Sequence, residues 1–369
     1  MVSAPLCSKD VYQGPTSSLS EFRSFTGRTN LISYQRCGNG LLIVVLAFVL
    51  GCDRPKAAPI SGPAPSAPVQ QAQEAKLLEP AGPSMKIDPT RAWQYVKDIV
   101  AIGPRWDGSP GQKKIGEYLH RQLKNDEVEE DAFAAETPAG KIPIRNIVAK
   151  FPGTKEGIIV LGSHIDTNYP LRNTSFVGAN DGGSSTALLL AIADQLRSRK
   201  LDGYSVWLAF LDGEESIASA TPGDIRWSDR DSLYGSRHLS EKWEKDGTNK
   251  RIKAFLLADM IGDKDLDIFR DGNSTPWLED LILRAAQRLG YQSYFFSTQT
   301  TVTDDHMSFA QFGVPVADVV DLNYGYNNAY HHTTQDTLDK ISPQSMQIAG
   351  DVILETIRLL NAGAGPNPK

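Results

Sequence analysis

Between residues 86 and 363 short apolar runs alternate with amphipathic helical stretches, and this alternation limits the fold more than any other property of the chain. Residues 146–151, 157–162, 206–211, 254–258 and 314–320 have strand length and are rich in Val, Ile, Leu, Phe and Ala. Around them, residues 89–100, 112–123, 184–199, 232–244, 276–289 and 343–360 carry apolar side chains at helical spacing, as with Leu188, Leu189, Ile192 and Leu196. Pro276 suits the first turn of one helix, and Asp231 is placed to cap another. Strands that alternate with helices pair through crossovers that lay helices on both faces of a sheet. The expected fold class is therefore α/β: a single domain with a central mixed, mostly parallel sheet flanked by helices.

The first 85 residues read differently. Leu41 to Leu50 is an uninterrupted apolar run of ten residues, short of the roughly 20 needed to span a bilayer but of the right length for a signal-peptide core. Arg28 and Arg36 precede it as the positive region. Val49-Leu50-Gly51-Cys52 then resembles a bacterial lipoprotein box, in which the cysteine becomes the lipidated N-terminus; an ordinary secretory cleavage nearby is the alternative. Residues 53–85 are dominated by Pro, Ala, Ser and Gln, which cannot bury a core and read as an extended tether. The expected organisation is a signal segment over 1–52, a linker over 53–85 and a catalytic domain over 86–363. The expected location is outside the cytoplasm, in the periplasm or cell envelope, with membrane contact only through the signal segment or a lipid on Cys52.

Composition narrows the chemistry. Lys and Arg total 38 against 44 Asp and Glu, a net charge of −6, with no basic run to neutralise a phosphate backbone, so nucleic acid is not an expected partner. All three cysteines, Cys7, Cys37 and Cys52, precede the domain, so any metal there must be held by His, Asp or Glu.

In open α/β sheets ligands bind beyond the carboxyl ends of the strands, and the residues following the expected strands are chemically one-sided. They are His164-Ile-Asp166, Asp181-Gly182-Gly183 at a helix start, Asp212-Gly-Glu214-Glu215, Asp259 and His331-His332-Thr333. Each alone has a plainer reading. His164 and Asp166 could be a structural pair, Asp181 a helix cap, Glu214 and Glu215 solvated charge, and Asp259 half of a buried ion pair. Together they form an oxygen-rich set with imidazoles, which suits Zn²⁺ in an open, catalytic site.

This series resembles that of the zinc-dependent exopeptidases of the aminopeptidase type. More specifically, Leu211-Asp-Gly-Glu-Glu215, Trp227-Ser-x-x-Asp231-Ser-Leu-Tyr-Gly-Ser-Arg-His-Leu239, Asp304-Asp305-His306 and Gly313-Val-Pro315 resemble the glutaminyl cyclase branch of that fold, over roughly residues 88 to 360. The resemblance implies one zinc ion held by Asp181, Glu215 and His332, with a fourth position open to substrate. It implies Glu214 as proton shuttle, Asp259 and Asp304 as interacting carboxylates near the leaving amide, and Trp227 as an aromatic pocket wall. His331 stands where the branch has a tryptophan, so it is a candidate substrate contact, a loop residue or a decoy ligand. Asp166 fits a role behind the site, orienting His164.

The implied activity is cyclisation of N-terminal glutamine on peptides or proteins, releasing ammonia. The alternative is a zinc aminopeptidase in which Asp181 bridges two ions and His164 and Asp259 complete the second site. A non-catalytic binding module is the third reading, opposed by retention of all the candidate ligands and of Glu214.

Overall fold

A computed structural model describes residues 82–197, 199–217, 228 and 230–365. The cysteines, the apolar run, nearly all of the Pro/Ala segment and Trp227 lie outside the described residues.

The core sheet has six strands in the order β1-β2-β4-β3-β5-β8. These are β1 (Glu127–Thr137), β2 (Gly140–Phe151), β3 (Gly153–His164), β4 (Leu201–Leu211), β5 (Ile252–Asp259) and β8 (Val316–Val320). β4, β3, β5 and β8 run parallel, while β1 and β2 form an antiparallel edge hairpin joined to β4. Side chains alternate across the sheet as the pleat requires. Ile159, Leu161, Leu208, Ala254 and Leu256 join the larger core cluster on one face, which is covered by α1 (Pro89–Ile102), α3 (Gly183–Arg197), α5 (Pro276–Leu289) and α7 (Pro343–Asn361). Ile158, Val160, Ala209, Phe255 and Leu257 join the cluster on the other face, against α4 (Tyr234–Lys245) and α6 (Asp305–Ala310). The expected mixed, mostly parallel sheet between helical layers is the observed one.

Local chemistry sets the helix starts. Asp88 caps α1, accepting from the backbone N–H of Thr90 and Arg91, and Ser109 caps α2 (Pro110–Gln122) at Gln112; each helix has proline at its first position. Asp231 is not the cap of α4: that position is Leu233, in left-handed geometry and without a side-chain cap, and Asp231 Oδ1 instead accepts from the Tyr234 hydroxyl at 2.7 Å. β1 was not expected from the sequence. Its Glu127-Val-Glu-Glu-Asp131 start is charged because an edge strand leaves most of its side chains in solvent. A short parallel pair, β6 (Ile268–Asp271) and β7 (Phe295–Thr300), stands apart from the main sheet.

Because β3, β4, β5 and β8 are parallel, their carboxyl ends at His164, Leu211, Asp259 and Val320 share one edge. Among the described residues no helix is long and apolar enough to cross a membrane. Leu256, 1% exposed at the centre of β5, reports on the packing that holds this edge: Leu256→Ala is expected to lower unfolding free energy by about 2–5 kcal/mol, measured by denaturant titration, and a loss under 1 kcal/mol would contradict the packing described.

Candidate metal and active site

The loops at this edge are held by backbone contacts to buried acids. Asp166 accepts from Glu214 N–H at 3.2 Å through Oδ1 and from Glu215 N–H at 3.1 Å through Oδ2, which fixes the glutamate pair to the end of β3. Its approach to His164 Nδ1 is longer, 3.6 Å, so the principal work of Asp166 is on the glutamate loop rather than on His164. Asp336 acts in the same way on the neighbouring loop, accepting from the N–H of Asn180 at 2.8 Å and of Asp181 at 3.1 Å, and from the Tyr324 hydroxyl at 2.8 Å. Gly182 follows Asp181 with φ 69°, where a Cβ would lie 2.8 Å from the His164 ring. Glycine there lets the loop close on the histidine.

Asp181 sits at the centre with its two oxygens turned to different partners. Oδ2 is 3.4 Å from His332 Nε2, and that nitrogen is 3.2 Å from Glu215 Oε1. Oδ1 is 3.2 Å from His164 Nε2, which is 3.1 Å from Asp259 Oδ1. His164, Asp181 and Asp259 offer ligand atoms that all lie within 4.8 Å of one another, as do Asp181, His331 and His332. Glu215 meets the second of these groups through His332, and Asn168 Nδ2 donates to its other oxygen at 2.8 Å. The two glutamates diverge: Glu215 faces His332, whereas Glu214 Oε2 is 4.0 Å from His164 Nδ1.

Burial and like charge raise several of these carboxyls. Glu214 is pushed well up by burial and by the Asp304 charge. Asp304, which caps α6, is lifted to about 6 by burial and then by Asp259. Burial would also raise Asp181, but the contacts with His164 and His332 carry it below the usual carboxylate range. Arg105 is the buried counter-charge: it donates to the carbonyls of Ile165 at 3.0 Å, Val177 at 2.6 Å and Gly178 at 3.1 Å, and burial lowers it only to about 10.

The donor set fits a divalent cation. Asp181 Oδ2 and Glu215 Oε1, the two oxygens converging on His332 Nε2, are buried without hydrogen-bond partners. Orphaned carboxylate oxygens beside an imidazole nitrogen are what a bound cation would satisfy, and with no thiolate the nitrogen–oxygen set suits zinc.

A model of peptidase family M28 matches residues 146–357. The chain belongs to peptidase family M28. It is 30% identical over 303 residues to the glutaminyl-peptide cyclotransferase-like protein of Mus musculus, covering 74% of this chain and 75% of that one. The crystal structure of an Acidobacteriales bacterium glutaminyl cyclase is 50% identical, with a TM-score of 0.73, over 77% of this chain and 98% of that one. A Zn-dependent exopeptidase from Parabacteroides distasonis is 26% identical, with a TM-score of 0.66, over 74% and 99% of the two chains. M28 membership agrees with the cation-binding character of the edge.

Of the residues singled out from sequence, His164, Asp181, Glu214, Glu215, Asp259, Asp304, His331 and His332 stand at or beside this edge, and Trp227 lies outside the described residues. Sequence reading passed over Arg105 and Asn168, which carry no motif and whose partners lie 60 and 47 positions away. Because Asp336 holds the Asp181 backbone, Asp336→Ala is expected to weaken zinc affinity by about 10- to 100-fold in a chelator competition; unaltered affinity would remove that role.

Proposed function

We propose that this chain is a zinc-dependent glutaminyl-peptide cyclotransferase, converting N-terminal glutamine of peptides or proteins to pyroglutamate with release of ammonia. The observation that carries this reading is the divergence of two adjacent glutamates, Glu215 at 3.2 Å from His332 Nε2 and Glu214 turned to the other side of the site. One serves the metal and the other is left for proton transfer. The similarity to glutaminyl cyclases, at 50% identity over 98% of one of them, supports the same assignment.

In this reading Asp181, Glu215 and His332 hold one zinc ion, which when bound polarises the γ-carboxamide oxygen as a Lewis acid. Glu214 accepts a proton from the substrate α-amine as that nitrogen forms its bond to the carbonyl carbon of the γ-carboxamide, and returns it to the amide nitrogen as the bond from that same carbon to ammonia breaks. A carboxyl raised by burial toward the range of an α-amine, near 8, can pass a proton in both directions at small cost, and the shift of Glu214 is in that direction. Asp304, whose carboxyl burial and the Asp259 charge raise, and Asp259 beside it steady the departing amide. Trp227 and His331 contact the substrate.

A second reading, zinc aminopeptidase, draws support from the split of Asp181 between two histidines, which suits two ions bridged by one carboxylate. The two are separated by product: the cyclase releases ammonia from a Gln-initiated peptide, and the aminopeptidase releases a free amino acid from a Leu-initiated one. For the chain ends, the reading is a signal segment over 1–52, a tether over 53–85 and a catalytic domain over 86–363, exported to the periplasm or cell envelope and anchored by lipid on Cys52. Support comes from the apolar run Leu41 to Leu50 followed directly by Gly51-Cys52.

Glu214→Gln is expected to keep its zinc while slowing turnover by roughly 10²- to 10⁴-fold, measured as ammonia release beside metal analysis. Unchanged turnover would refute the shuttle. Removing zinc with a chelator is expected to abolish cyclisation, restored by adding zinc back; activity that survives complete removal would dismiss the metal. Cys52→Ser is expected to abolish the incorporation of labelled palmitate seen for the wild type in a bacterial host; persistent label would place the lipid elsewhere, and an unlabelled wild type would dismiss the anchor.

A further inference from the structure

His331 belongs to a cluster with Asp181 and His332 in which ligand-capable atoms lie within 4.8 Å, so proximity alone would admit it as a metal ligand. Its hydrogen bonding decides otherwise. Asn328 Oδ1 accepts from the Tyr324 backbone N–H at 3.2 Å. That contact fixes the Asn328 amide, because turning it over would set its NH₂ group against an N–H. The Asn328 Nδ2 group is then the one that meets His331 Nδ1, at 3.0 Å. An amide nitrogen only donates, so Nδ1 must present its lone pair, and the proton of the neutral ring sits on Nε2. A protonated Nε2 has no lone pair for a cation.

The turn that imposes this is built for it. Asn327, Asn328 and His332 have φ of 54°, 58° and 50°, a left-handed backbone that asparagine tolerates better than most residues. Tyr330 N–H closes the turn on the Tyr324 carbonyl at 3.2 Å. Asn168 Nδ2, whose direction is fixed by donation to Glu215 Oε2 at 2.8 Å, approaches His332 Nδ1 only to 3.4 Å, at the limit of a hydrogen bond, so the constraint on His332 is correspondingly weaker. The neighbouring histidines are thus treated differently, although their rings are 4.0 Å apart.

We propose that Asn328 locks His331 as an Nε2–H donor, making it a specificity-determining residue that binds the first peptide carbonyl of the substrate rather than the metal. This rests on the cyclase reading, and the substrate oxygen follows by elimination. An N-terminal glutaminyl residue offers three groups able to accept a hydrogen bond: the α-amine, which must stay free to attack; the γ-carboxamide oxygen, which belongs to the cation; and the carbonyl of its own peptide bond. A neutral donor beside the metal centre is complementary to the last, and His331 is only partly buried, so a ligand can reach it.

The test uses the zinc-loaded full chain and two substrates, a Gln-initiated peptide and its analogue with the first peptide carbonyl replaced by methylene. Wild type is expected to favour the carbonyl substrate about tenfold in kcat/KM, the worth of one good hydrogen bond. His331→Phe should erase that preference, mainly through KM, with zinc content unchanged, and His331→Gln, which keeps a donor, should restore part of it. Long-range proton–nitrogen correlation spectra of ¹⁵N-histidine protein should show His331 as the Nε2–H tautomer, and Asn328→Ala should lose that single form. Loss of zinc in His331→Phe, or an Nδ1–H tautomer, would make His331 a ligand and overturn the proposal. A preference that survives His331→Phe would reduce it to a loop residue and overturn it equally. A wild type that releases no ammonia from either peptide would sink the cyclase reading instead, and the tautomer spectrum would still decide the Asn328 lock.

Discussion

Burying carboxylates of like charge at one edge of a sheet is costly, and the arrangement around that edge answers this cost. Asp166, Asp181, Glu214, Glu215, Asp259 and Asp304 are all buried. Unpaired, such groups would take up protons or repel one another. Asp181 is kept charged by two histidines, one at each oxygen. Arg105 adds a fixed positive charge behind the loops and spends its donors on three backbone carbonyls rather than on an acid. Among these six acids, the oxygens buried without a hydrogen-bond partner are Asp181 Oδ2 and Glu215 Oε1, and a divalent ion would offset that deficit.

That electrostatic problem also explains why so much of the surrounding hydrogen bonding is between acid side chains and backbone. Asp166 and Asp336 each use both oxygens on consecutive N–H groups of a site loop. Each such carboxylate finds its partners in backbone N–H groups, and each fixes the direction of a loop that carries candidate metal ligands. Sites held in this way tolerate little displacement, because metal geometry and proton transfer both depend on sub-ångström placement. The split of adjacent glutamates follows from the same device: with both N–H groups tied to Asp166, the side chains leave the loop in different directions.

Much of the fold was legible because burial imposes period. The apolar runs that became β3, β4 and β5 are buried on both faces and read as continuous hydrophobic strands, and the long amphipathic helices α1, α5 and α7 carry an apolar stripe between prolines or caps. β1 was not legible, because an edge strand with Glu127, Glu129 and Glu130 has no such signature and exists through its pairing with β2. Asp231 misled because a capping residue type before a helix says nothing about its partner, and the Tyr234 hydroxyl took it.

The sequence by itself determined the order of the central strands and the long helices, the sheet class and the kinds of atoms available at the strand ends, because hydrophobic period and donor chemistry are local properties. It also marked His164, Asp181, Glu214, Glu215, Asp259 and His332 as a chemically coherent set. Only the tertiary structure decided which oxygen of Asp181 faces which histidine, that Asp166 serves the glutamate loop more than His164, and that the Asn328 side chain meets His331 Nδ1. Those are directions of side chains brought together from up to 168 positions apart, from His164 to His332, and direction is set by packing and by hydrogen bonds that no local pattern encodes.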